Sequence, residues 1–76
     1  MEEMILSKTE KILAAINYFL PHDDLYQYRF EADSIAYNTR KNSSLKTIEK
    51  LIRQYLGEMI DEEMVRPLTM AIKGCL

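Results

Sequence analysis

His22, Asp23 and Asp24 stand side by side and carry three side chains able to ligate a divalent metal. Consecutive residues rarely converge on one ion, and no second histidine or cysteine cluster completes a set. The expectation is therefore a helix-start or surface role and no metal site. Cys75 is the single cysteine. Nothing in the sequence supplies it with both a pocket and an evident base, so it reads as an apolar filler or a surface thiol, not a nucleophile. Glu58, Asp61, Glu62 and Glu63 form a dense acidic group, the residue type of general acid–base catalysis. A catalytic carboxylate needs an apolar pocket to raise its pKa, and this run reads instead as the solvated, acidic start of a helix. With two glycines in the chain there is no glycine-rich loop to cradle phosphate on backbone amides. The expectation is a non-enzyme without a cofactor.

Positive charge is more suggestive. Arg40, Lys41, Lys46, Lys50 and Arg53 face a single acid, Glu49, over their span, and the four acids from Glu58 to Glu63 follow at once. Lys46, Lys50 and Arg53 recur at steps of four and three, which places them on one helix face, with Arg40 and Lys41 just ahead of that helix. Free N-terminal amides and cations together make a candidate contact for phosphate, nucleic acid or an acidic partner. The net charge of −2 and a pI near 5.3 are unusual for a DNA binder. A solvated face opposite the Leu45, Ile48 and Ile52 stripe accounts for the same spacing, and both readings stand at this point.

The tyrosines are Tyr18, Tyr26, Tyr28, Tyr37 and Tyr55. Such rings bury large areas while keeping a polar end, which suits a core or an interface. On a helix, Tyr26, Phe30 and Tyr37 fall on a face distinct from that of Leu25, Ala32 and Ala36. They form the expected contact surface for another protein or for a second copy in a homodimer; burial within one subunit is the competing reading.

These side chains must be positioned by short helices. Ser7 and Glu10 have the spacing of a reciprocal capping box, so the first helix is expected over 8–20, with Ile12, Leu13, Ile16, Phe19 and Leu20 inward and Pro21 as its stop. A turn over Glu2 to Leu6 would lengthen it. The segment 25–39 reads as a helix capped by Asp23, with Leu25, Tyr28, Ala32, Ile35 and Ala36 inward, or as a hairpin in which Tyr26, Tyr28 and Phe30 alternate with polar residues. The third helix, starting after Ser43 and Ser44, carries the clearest periodicity: Leu45, Ile48, Leu51, Ile52, Tyr55, Leu56, Met59 and Ile60. Gly57 is expected either to end it in a left-handed cap or to lie within a continuation to Ile60. The last helix either starts at Asp61 and passes through Pro67, or starts with Pro67 in its first turn.

The run SSLKTIEKL followed by IDEE resembles the second-helix region of acyl and peptidyl carrier proteins. The resemblance implies a phosphopantetheine-bearing serine at Ser44 followed by Leu45. In this chain Ser43 stands where that family has aspartate, and the helix that follows is basic where theirs is acidic. The DSI of Asp33 to Ile35 keeps the aspartate but lacks the pattern after it.

With 76 residues, 47% of them hydrophobic and 29% charged, the chain supports one core, a single compact helical domain over 1–76. The expected class is all-α, three or four short antiparallel helices, with α+β as the alternative if 25–39 is a hairpin. A lone cysteine and the lack of an apolar run near the ~20 residues of a membrane span suggest a cytosolic protein, without a membrane partner. The expected function is a small regulator or inhibitor that binds another protein. A nucleic-acid-binding regulator using 40–53 is the alternative, and a carrier-like domain the third.

Overall fold

The computed structural model describes residues 7–76; the turn expected over Glu2 to Leu6 lies outside them. Four helices follow in order: α1 (Lys8–Phe19), α2 (Arg29–Tyr37), α3 (Leu45–Leu56) and α4 (Glu62–Cys75). Each packs on two neighbours in a closed ring, α1 on α2 and α4, α3 on α2 and α4. Short connections make successive helices antiparallel. Two long-range contacts fix the register of the ends. The Lys8 ammonium at the start of α1 donates to the Thr39 carbonyl, and Lys73 Nζ near the end of α4 donates to the Ser43 carbonyl at 2.6 Å. One end of the bundle therefore holds the start of α1, the α2–α3 loop and the close of α4. The other holds the α1–α2 and α3–α4 connections.

The capping box expected from Ser7 and Glu10 is present: Ser7 Oγ accepts from Glu10 N at 3.1 Å, and Glu10 Oε1 accepts from Ser7 N at 3.0 Å. Pro21 restricts the residue before it to extended backbone, and Leu20 has φ −112° and ψ 143°, which ends α1. Ile12 and Ile16 of α1, Ile35 of α2, Ile48, Ile52 and Leu56 of α3, and Leu68 and Ile72 of α4 are fully buried and form the core. Removing that much apolar side-chain area from water is the main favourable contribution to folding.

The segment 25–39 is helical, so the hairpin alternative is set aside, but the helix starts later than the sequence suggests. Asp23 does not cap it. Asp24 Oδ1 accepts from Tyr26 N at 2.7 Å, and Gln27 Oε1 accepts from Asp23 N at 2.9 Å, which closes a turn through 24–28. Leu25 is consequently exposed, while Tyr28, Ala32, Ile35 and Ala36 point inward as expected. Local side-chain bonds to backbone amides have here displaced the first helical turn. At nine residues α2 is too short to stand alone and depends on this packing.

Gly57 does not form a left-handed cap: its φ is −55° and its ψ −32°. What requires glycine is close approach, since a Cβ at this position would run into the Arg53 carbonyl. The last helix begins at Glu62 and runs through Pro67, which overturns the alternative start at Pro67. Pro67 is exposed, Val65, Leu68 and Ile72 are inward, and Gly74 lies within the last turn.

Candidate functional site

Phe30, Asp33, Ser34, Tyr37 and Asn38 recur at steps of three and four along α2 and its C-cap, so they share one face. That face is turned away from the core. With Tyr55 of α3 it lines an open groove of about 380 Å³. Phe30 is 74% exposed and Tyr37 90% exposed, extreme values for large rings whose neighbours Ala32 and Ala36 are buried. Tyr26 is also exposed but sits in the turn before α2, outside the groove. The three aromatic residues singled out from the sequence thus divide: Phe30 and Tyr37 come together, and Tyr26 stands apart. Sequence reasoning missed Asp33, Ser34 and Asn38, although their seven-residue frame with Phe30 and Tyr37 was available, and assigned Tyr55 to the α3 stripe. Asp33 Oδ1 accepts from the Thr9 hydroxyl at 2.9 Å, which ties the groove floor to α1.

Tyr37 and Asn38 also line a second cleft, of about 500 Å³, with Lys8, Ala36, Thr39 and Arg40. The loop beneath it is internally bonded. Thr39 is buried and its hydroxyl donates to the Ile35 carbonyl at 2.8 Å; Arg40 N donates to Ser43 Oγ at 2.8 Å. Ser44 caps α3 by accepting from Thr47 N at 3.1 Å, the plain cap expected from the sequence. Lys8 and Lys73, thirty or more residues away in sequence, hold the loop carbonyls from two sides. The structure therefore adds two lysines to the charged set around Arg40 and Lys41, a gathering that no local pattern announces.

The helical part of that set is less uniform. Lys46 and Lys50 are exposed on α3. Arg53 is taken up by carboxylates: its two terminal nitrogens donate to Glu62 at 2.8 and 2.7 Å, and its Nε lies 3.5 Å from Glu49. The hydrogen bond to Glu62 pushes the Arg53 pKa up and holds the Glu62 carboxyl below its ordinary range. Arg53 thus joins the acidic connection at the far end of the bundle, and does not share the free positive charge of Arg40 and Lys41.

The remaining reactive groups are placed as follows. His22 Nδ1 lies 3.2 Å from the Leu20 carbonyl. Among the described residues, no three His, Cys, Asp or Glu side chains are grouped so as to hold a metal ion. Cys75 is half-buried, its thiol donates to the Ala71 carbonyl at 3.3 Å, and burial pushes its pKa up, partly offset by Lys11. A raised thiol pKa lowers the thiolate fraction. Of the acidic group, Glu62 is shifted in the direction opposite to that of a general acid working near neutrality.

Comparison with protein-family models, curated proteins and solved structures finds no match. Ser44, the serine of the carrier-protein likeness, opens the third helix here and accepts from Thr47 N in its cap.

Proposed function

We propose that this chain is a small non-enzymatic interaction module, a regulator or inhibitor that docks another protein on the outer face of α2. The observation that carries the reading is the exposure of Phe30 and Tyr37 on one face, two helical turns apart, with Tyr55 of α3 lining the same groove. Exposed rings of this size contribute little to folding and are the side chains that most often anchor interfaces. A second copy is one admissible partner. The cytosolic location expected from the single cysteine belongs to the same proposal. A nucleic-acid partner is less well supported, because Asp33 lies in the groove and Arg53 is neutralised by Glu62 and Glu49.

The test is affinity capture from native lysate by the full chain and by the Phe30→Ser/Tyr37→Ser variant, both after nuclease treatment. The expected result is a captured protein, or self-association, that the variant loses while its circular dichroism stays unchanged. Capture that survives the double substitution, or that depends on intact nucleic acid, rejects the proposal.

A further inference from the structure

The groove and the cleft adjoin, with Tyr37 and Asn38 lining both. One half is aromatic, with Phe30, Tyr37 and Tyr55. The other half is cationic, with Lys8 and Arg40 in the cleft wall and Lys41 in the loop beside it. We propose that the two halves form one docking surface for an acidic linear segment of a partner protein, its apolar side chains set between Phe30 and Tyr37 and its carboxylates over Lys8, Arg40 and Lys41. This inference rests on the reading of the α2 face as the protein-binding face, and adds the chemistry of what binds there.

Charge complementarity carries the choice of partner. The described ion pairs are those of Arg53 with Glu49 and Glu62, so none involves Lys8, Arg40, Lys41 or Lys73. Lys8 and Lys73 donate to backbone carbonyls, which satisfies N–H groups without cancelling the ammonium charge. Glu10, the acid nearest Lys8 in α1, has its carboxylate engaged on the Ser7 amide. The backbone that carries these cations is also held in place before any partner arrives. Thr39, Ser43 and the two lysines fix the loop that carries Arg40 and Lys41, so less ordering has to accompany binding.

The same surface disfavours a polyphosphate. Asp33 sits in the aromatic half, accepting from Thr9, and a phosphate chain running the length of the groove would pass over its carboxylate. A protein segment needs negative charge at one end only, and its backbone N–H groups suit Asp33. Phe30 and Tyr37 are seven residues apart, about 10 Å along the helix. The segment therefore needs one or two apolar anchors over that length, with Asp or Glu beyond the Tyr37 end.

The probe is a random linear 16-residue peptide library displayed on phage and selected on the full chain. Recovered peptides are then titrated by fluorescence anisotropy. The expected outcome is enrichment of Asp and Glu beside an apolar residue. Kd should rise about tenfold in the Arg40→Glu/Lys41→Glu variant, and by a similar factor between 50 and 500 mM salt, as for a few exposed charge pairs. Both substituted side chains are exposed, and unchanged circular dichroism confirms the fold. Neutral peptides that lose binding only with Phe30→Ser would leave the α2 reading standing and overturn the acidic partner. Acidic peptides that bind equally well to Phe30→Ser/Tyr37→Ser would overturn the shared surface. Equal binding of a 16-nucleotide oligothymidylate would overturn it in favour of nucleic acid. Self-association lost on Glu58→Lys/Asp61→Lys would overturn it in favour of a second copy, whose own acidic turn carries the half-exposed Met59. Recovery of no peptide above background overturns the acidic linear segment and leaves the α2 reading to the capture experiment.

Discussion

Tyr28→Phe isolates one hydroxyl at the joint that sets the position of α2. The Tyr28 ring is 4% exposed and packs in the core, while its hydroxyl reaches back seven residues to donate to the Pro21 carbonyl. Phenylalanine keeps the ring and its buried area, so no cavity term enters. What is lost is a single hydrogen bond, worth about 0.5–1.5 kcal/mol net when the abandoned partner can find water. Pro21 is exposed, so its carbonyl can be hydrated, and the larger penalty for a stranded buried acceptor does not apply. The expected loss is therefore about 1 kcal/mol. For a chain of this size that corresponds to a fall in Tm of about 4–8 °C. With an m-value of about 1 kcal/mol/M, the urea midpoint falls by about 1 M. Urea titrations followed by far-UV circular dichroism measure it, and the m-value should not change. A variant as stable as the wild type would mean that the hydroxyl does not tether the α1–α2 connection. A loss above about 3 kcal/mol would mean that the carbonyl is left dry, contrary to the exposure of Pro21.

Three further outcomes are expected. Pro67→Ala should stabilise the protein by about 1–2 kcal/mol: alanine restores a donor to the Glu63 carbonyl within α4, Pro67 is exposed, and the gain is reduced by the freer unfolded chain; a lower urea midpoint would contradict it. Gly57→Ala should destabilise by about 1 kcal/mol, the clash with the Arg53 carbonyl outweighing alanine's helical preference, and a rise in Tm would show that close approach is not what holds glycine there. Glu10 is held below its ordinary range chiefly by the Ser7 backbone amide, and Glu62 by its hydrogen bond from Arg53. A folded-state pKa below the unfolded one means stability fully present above the ordinary carboxylate range and lost as pH falls through the depressed folded values. The Glu10→Gln/Glu62→Gln variant should therefore lose less stability than wild type between pH 7 and pH 3, and parallel acid limbs in urea midpoints would refute the linkage.

Much of the fold is legible in the sequence because its causes are local. The capping box of Ser7 and Glu10, the stop at Pro21, the Ser44 cap and the apolar steps from Ile48 to Leu56 all act within a few residues. The start of α2 was hidden for a local reason too: Asp24 and Gln27 bond to nearby amides and compete with the helix, which moves Leu25 outside. Gly57 stayed open between a left-handed cap and a continuation to Ile60, and is neither, because sequence reveals that a side chain is missing but not whether conformation or a neighbouring carbonyl requires its absence.

By itself the sequence determined the apolar stripes of α1 and α3, and it placed Phe30 and Tyr37 on one face on condition that 25–39 is helical, since helical spacing decides which residues share a side. Only the tertiary structure decided which charges act together. Lys8 reaches Thr39 and Lys73 reaches Ser43 because antiparallel packing brings both ends of the chain's described part to one loop, across thirty residues of sequence. The same packing lays Glu62 against Arg53 and removes that arginine from the basic set. Charge acts over several ångströms in space whatever the separation along the chain, so its partners are settled by how the helices pack, and not by periodicity.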